Sequence, residues 1–332
     1  MSFLSAERTV AITAVLQASK VCQKVFQKLV AVEAYTKSDK SPVTVADFSS
    51  QAIISTFLQK NFPNDPIVGE EDSDALRGES GKELRDKVLS LTNSVLDETL
   101  DEQKLFEALD RGSYTGGAKG RMWTIDPVDG TKGFLRGGQY AVCLGLIIDG
   151  HVQLGVTGCP NLPVDFKEPE GEKGCLFVAV RGKGASQVNF SSLVEKQISL
   201  TEVSSVSDAS FCESVEAAHS SHGEAVQIAS LLGITKPSIR MDSQCKYCAI
   251  SRGDTDILLR LPVLSDYEEK IWDHASGSLL IHEAGGMISD INGNPLDFSL
   301  GRTLKNNKGV VVAHPNIHSQ VIKAVQQVLF SK

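Results

Sequence analysis

At 332 residues the chain is long for a single hydrophobic core and fits two domains of ordinary size. Hydrophobic residues make up 41% and charged residues 22%, a globular balance, and the formal charge of −8 excludes a broad basic surface for nucleic acid. No stretch approaches the ~20 apolar residues of a membrane span and no secretory leader opens the sequence, so the seven scattered cysteines are expected to be reduced in a cytoplasmic protein.

Ile12, Val15, Leu16, Cys22, Val25, Phe26 and Leu29 recur at helical spacing and predict an amphipathic helix over 6–32. A second helix is predicted from Thr44 through Ile53, Ile54, Phe57 and Leu58, ending before Pro63. Ile67 to Gly69 reads as a short strand that delivers the acidic pair Glu70-Glu71. Residues 72–110, rich in Asp, Glu, Lys and Ser, read as surface helices or a mobile flap. Strands over 123–126, 140–148, 152–158 and 176–180 form an antiparallel meander, with Asp149-Gly150 as a hairpin turn. Beyond residue 200 strands and helices alternate: strand 209–214, helix 223–232, strand 238–241, helix 244–251 and strand 255–261. A helix over 273–284 stopped by Gly285-Gly286, strands 287–290 and 309–313, and a helix from Pro315 complete the set. The expected fold class is α/β. Residues 1–200 form an α+β domain with an antiparallel sheet, and residues 201–332 an α/β domain.

The strongest chemical signal is Arg121-Met-Trp-Thr-Ile-Asp126-Pro-Val-Asp129-Gly-Thr131-Lys-Gly-Phe134. Two carboxylates flank a proline at the end of an apolar run, and Gly130 and Thr131 can then offer backbone N–H groups to an anion. Carboxylate oxygens suit hard cations such as Mg²⁺, so an acidic turn beside an anion cradle reads as a metal-assisted phosphoryl site. The competing reading is an Asx-type turn that only caps backbone. Asp47, three residues after Thr44, has capping-box spacing, and Asp273 at a predicted helix start has N-cap placement. Either position would also aim a carboxylate outward. Residues 112–120 do not form a phosphate-binding P-loop, because Lys119 is followed by Gly120. Cys245-x-x-Cys248 has no second ligand pair to make a zinc site and reads as helix packing.

Four ordered segments carry a family resemblance: Ser41-Pro-Val-Thr44-Val-Ala-Asp47, Val68-Gly69-Glu70-Glu71, Asp126-Pro-Val-Asp129-Gly-Thr131, and Trp272-Asp273-His-Ala-Ser-Gly277 running on to Glu283-Ala-Gly285-Gly286. They resemble the signatures of the inositol monophosphatase-like metal phosphatases. Gly116-Gly117-Ala-Lys-Gly120-Arg121, His219-Ser-Ser-His222, Asp242-Ser243-Gln-Cys-Lys246-Tyr247 and Leu259-Arg260-Leu-Pro262 narrow the resemblance to the fungal-type branch acting on 3′(2′),5′-bisphosphate nucleotides. The resemblance implies a layered αβαβα sandwich of the sugar-phosphatase type and two or three Mg²⁺ ions. Its implied metal ligands are Glu70, Asp126, the Val128 carbonyl, Asp129 and Asp273. Catalysis is assigned to Asp47, Thr131 and Glu70. Substrate contacts fall to Gly130, Thr131, His219, Ser243, Lys246, Arg260 and Asp273, with Lys246 as a plain solvated charge the alternative.

The implied reaction is hydrolysis of adenosine 3′,5′-bisphosphate to AMP and phosphate by metal-activated water, extending to 3′-phosphoadenosine 5′-phosphosulfate. Sensitivity to Li⁺ is implied as well. The expected partner is this small nucleotide substrate, with no nucleic acid, membrane or protein partner evident. An inositol mono- or bisphosphate phosphatase and a non-catalytic nucleotide-binding regulator are the alternatives. Independently of any family, five acids in one site would repel one another without cations, which predicts metal dependence.

Overall fold

The computed structural model describes residues 4–31, 41–215, 222–262 and 267–330. Helices α1 (Ser5–Ala31) and α2 (Ser41–Asn61) lie side by side, and small buried residues on α1, Ala11, Ala14 and Ala18, allow the close approach. Strand β1 (Ile67–Gly69) runs parallel to β2 (Arg121–Asp129). An antiparallel meander continues through β3 (Ala141–Ile148), β4 (His151–Pro163), β5 (Lys173–Val180), β6 (Ala185–Asn189) and β7 (Glu195–Ile198), giving a seven-stranded sheet in sequence order. Asp149 and Gly150 both take positive φ, 49° and 75°, as the two-residue hairpin turn between β3 and β4 requires.

The second sheet has five strands in the order β11 (Met287–Ser289), β12 (Val310–Ala313), β10 (Ile257–Arg260), β8 (Phe211–Glu213), β9 (Ile239–Arg240). Helices α7 (Cys245–Ser251) and α8 (Ala275–Glu283) pack between the two sheets, while α6 (His222–Leu232) and α9 (Pro315–Phe330) cover the outer face of the second. With α1 and α2 on the far face of the first sheet, the described residues form five layers in αβαβα order. Apolar residues of both sheets meet α7 and α8 in one continuous core, from Phe177 on β5 to Leu258 on β10. Burial of that size is the main force joining the halves.

The structure changes several sequence expectations. Helix α2 starts at Ser41 rather than Thr44, because Pro42 has a φ suited to the first turn and its missing N–H needs no partner there. Asp47 therefore sits in the second turn, and the capping-box reading fails. Of the two readings of residues 72–110, the helices hold and the flap fails: in α3 (Lys82–Asn93), α4 (Glu102–Asp110) and the turn before them, Leu76, Val88, Leu105 and Leu109 are buried against Val45, Phe48 and Ala52 of α2. Strands β6 and β7 were missed, since β7 is a polar edge strand without apolar alternation. Asp273 precedes α8, whose cap residue is His274, so the N-cap reading of Asp273 also fails. The Gly285 stop holds, with φ of 93° and a bond from Gly286 N–H to the Ile281 carbonyl at 2.9 Å.

All seven cysteines are free and buried, and Cys248 lies on α7 with its sulfur 3.6 Å from that of Cys159. Among the described residues no helix is long and apolar enough to cross a membrane.

Candidate active site

Asp126 and Asp129 differ in parity, so an unbroken strand would send them to opposite faces. The pairing of β2 with β3 shifts register between them: Asp126 sits opposite Cys143 and Asp129 opposite Ala141, leaving one extra residue on β2. That bulge turns both carboxyls into one cleft, and Pro127 falls inside it, where no N–H is needed for the ladder. Gly130 follows with φ of 87°, and α5 (Thr131–Leu135) starts directly after it. A side chain at Gly130 would strike Ser243, so the turn from β2 into α5 packs directly on the second half of the chain.

The cleft has a volume of about 280 Å³. Glu70, Asp126, Val128, Asp129, Gly130, Thr131, Ser243, Lys246, Arg260 and Asp273 all line it, which brings together ten of the twelve residues singled out from sequence. Asp47 is buried just behind this lining, with Glu71 and Glu70 as its nearest charges. His219 lies outside the described residues. The Thr131 hydroxyl lies 3.5 Å from the Val128 carbonyl, on the cleft side of the β2–α5 turn.

The acids repel one another. Burial first, then the charges of Asp273, Glu71 and Asp129, push Glu70 up to about 8, although solvent reaches its outer side. Asp126 is fully enclosed and is raised well above the usual carboxylate range by burial and by Glu70. Asp273 rises to about 6, with burial outweighing the nearby Arg260. Asp47 is likewise raised well above its ordinary value by burial and the charge of Glu71. One oxygen of Asp126 is buried with no hydrogen-bond partner. An orphaned buried carboxylate oxygen in an all-oxygen donor set is what a hard divalent cation satisfies. The residues fit such an ion.

The opposite wall is cationic and already partnered. Ser243 adopts φ of 66° just before Gln244, the cap residue of α7, and Lys246 on that helix is buried, its ammonium donating to the Ser243 carbonyl at 2.9 Å. Lys246 is therefore no solvated charge. Burial lowers its pKa while the charge of Asp129 opposes that shift. Arg260, at the end of β10, grips Glu269 with two nitrogens at 2.9 and 2.7 Å.

The sequence matches the inositol monophosphatase family over residues 4–329. The chain belongs to that family. Curated relatives named 3′(2′),5′-bisphosphate nucleotidase include those of Schizosaccharomyces pombe, 49% identical over 99% of this chain and 97% of the relative, and Emericella nidulans, 48% identical over 97% and 98%. One from Arabidopsis thaliana, numbered 1, is 43% identical over 93% of this chain and 92% of its own. Solved inositol monophosphatases from Zymomonas mobilis and Anabaena share the fold, with TM-scores of 0.64 and 0.62 at 19% and 20% identity, covering 98% of this chain and 100% and 96% of theirs. The family is metal-dependent, and the acid cluster of this inositol monophosphatase family member could bind a metal ion.

Sequence reasoning missed the residues that hold the acids in place. Gln51 on α2 accepts the Glu71 N–H at 3.0 Å, and its side chain fills the space left by Gly69 and Gly112, fixing the chain around Glu70. Arg302 donates to the Gly69 carbonyl at 2.6 Å and lies 4.9 Å over the Trp272 ring, linking the segments that carry Glu70 and Asp273. Gln244 donates its backbone N–H to Asp129 and its side-chain amide to the Trp272 carbonyl, and it accepts from Ser276 and Gly277. The only sequence signal for Gln244 was its place between Ser243 and Lys246. Gln51, Arg302 and Glu269 gave none, and the partners of Gln51 and Arg302 are distant in sequence.

Proposed function

We propose that the chain is a Mg²⁺-dependent phosphomonoesterase that removes the 3′-phosphate of adenosine 3′,5′-bisphosphate, yielding AMP and inorganic phosphate. The observation that carries this reading is one cleft with an acid cluster, including an orphaned buried Asp126 oxygen, facing Lys246 and Arg260 on the other wall. The names of relatives 43–49% identical support the same substrate class. Glu70, Asp126, the Val128 carbonyl, Asp129 and Asp273 would hold two or three Mg²⁺ ions. When bound, these supply Lewis-acid charge that activates water and stabilises the leaving oxygen.

The chain's own residues do the rest. Gly130 and Thr131 offer first-turn N–H groups, which have no acceptor inside α5, to the transferring phosphate. Thr131 and Glu70 orient the attacking water, with Asp47 as the buried acid–base partner behind Glu70. Lys246 and Arg260 take the remote 5′-phosphate, Ser243 the ribose side, and His219 the base or phosphate. In this reading residues 1–200 carry most metal ligands and residues 201–332 carry Asp273 and the nucleotide contacts. The seven free thiols support a cytoplasmic setting.

With Mg²⁺, purified protein is expected to hydrolyse adenosine 3′,5′-bisphosphate with kcat/KM at least ~10-fold above inositol 1-phosphate, the worth of one charge-assisted contact. EDTA is expected to abolish both activities. Preference for the inositol ester would replace the reading with an inositol phosphatase, and full activity in EDTA would end the metal assignment.

A further inference from the structure

Arg260 stands between two acids. Its Nε and Nη2 meet the two oxygens of Glu269 at 2.9 and 2.7 Å, while the same Nη2 lies 3.5 Å from Oδ2 of Asp273. Both contacts are sheltered, so the choice of partner matters energetically. Glu269 is fixed from behind. Its Oε2 meets Nε2 of the fully buried His274 at 3.1 Å, and Nδ1 of His274 meets the Tyr247 hydroxyl at 2.7 Å. The Glu269 carbonyl accepts the Leu304 N–H at 2.8 Å, which anchors its backbone. Tyr247, His274 and Glu269 thus form a buried chain of hydrogen bonds ending on the guanidinium, and a two-point grip fixes the plane of that group as well as its distance.

One donor atom each from Glu269, Asp273 and His274 lie within 4.8 Å of one another, a spacing that could be taken for a metal site. Arg260 already supplies positive charge to that cluster, and both ring nitrogens of His274 are engaged. A guanidinium that closed fully on Asp273 would neutralise the carboxylate and compete with any cation for it.

We infer that Glu269 is a positioning residue that holds Arg260 away from Asp273, leaving that carboxylate for the divalent cation and the guanidinium for the substrate's second phosphate. The inference rests on the metal assignment above. Outer partners that orient metal ligands commonly change metal affinity 10–100-fold when removed. In Glu269→Gln, Arg260 loses its anionic partner and turns to Asp273.

The test is direct Mn²⁺ binding, read from free Mn²⁺ by electron paramagnetic resonance, in wild type, Glu269→Gln, Arg260→Gln and the double variant. Glu269→Gln is expected to weaken Mn²⁺ binding ~10-fold. In the Arg260→Gln background the same change is expected to alter it less than ~2-fold, the residue of lost negative charge alone. Equal weakening in both backgrounds, or none in either, would overturn the inference. Wild-type protein that failed to bind Mn²⁺ would instead defeat the metal reading beneath it. Glu269→Asp, which keeps the charge but shortens the reach, serves if the Gln variant does not fold. It is expected to weaken binding in the same direction, and wild-type affinity in it would equally overturn the inference.

Discussion

The two walls of the cleft handle charge in opposite ways. On the wall from β1 and β2, Glu70, Asp126 and Asp129 are pressed together, and one oxygen of Asp126 has no partner. On the wall from α7 and β10, the Lys246 ammonium is bonded to the Ser243 carbonyl and Arg260 is gripped by Glu269. In the proposed reading a cation completes the first wall; the second is organised before any ligand arrives. Ready-made cations cost little further ordering when an anion binds. In the same reading, the acids make the chemistry conditional on metal.

Removing charge from the first wall should have the largest effect. Asp126→Asn or Asp129→Asn is expected to lower phosphate release at least ~10²-fold on every substrate, because each takes an oxygen ligand from a clamp worth several kcal/mol. Steady-state rates at saturating Mg²⁺ check this, and a loss below ~3-fold would remove these residues from the clamp.

Cutting the tie between the walls should cost less. Gln244→Ala removes three side-chain hydrogen bonds and leaves the Trp272 carbonyl and the Gly277 N–H unpaired in a buried place. A stability loss of about 2–3 kcal/mol is expected, with a higher Mg²⁺ requirement. Denaturant unfolding together with Mg²⁺ titration of activity checks both, and an unchanged Mg²⁺ requirement would leave Gln244 with a purely structural role.

The smallest effect concerns pH. Glu70 is raised from an ordinary 4.5 to about 8 and Asp273 from 3.8 to about 6, so the folded protein binds these protons more tightly than the unfolded chain. The stability they contribute is complete below pH ~4 and is lost as pH rises toward 8. In EDTA the melting temperature is expected to fall between pH 5 and 8, and Mg²⁺ should raise it more at pH 8 than at pH 5. Scanning calorimetry measures this. A metal-free melting temperature that rose over that range would contradict the crowding of the acids.

Locally encoded features were legible in the sequence. The Asp149-Gly150 turn, the Gly285 stop and strand 67–69 depend on residues next to one another, and the structure reproduces them. Acid and glycine spacing singled out Asp126, Asp129 and Gly130, and the family resemblance added Ser243, Lys246 and Arg260, all of which line one cleft. The bulge that brings Asp126 and Asp129 to one side was not legible, since alternation alone predicts opposite faces. Nor were the partners of Arg260 and of the residues flanking Glu70: Glu269 reaches β10 from the segment before α8, and Gln51 and Arg302 fasten Glu71 and Gly69 from opposite ends of the chain. Helix α2 began early because a first-turn proline is permissive rather than a barrier.

The central claim is that one wall handles the scissile phosphate and the other the remote one. It is tested most directly by comparing kcat/KM for adenosine 3′,5′-bisphosphate and for 3′-AMP, which lacks only the remote phosphate, in wild type and Lys246→Ala. The account predicts that wild type favours the bisphosphate and that Lys246→Ala loses about 10–150-fold on it while 3′-AMP changes little. Equal loss on both substrates, or a wild-type enzyme indifferent to the 5′-phosphate, would contradict it.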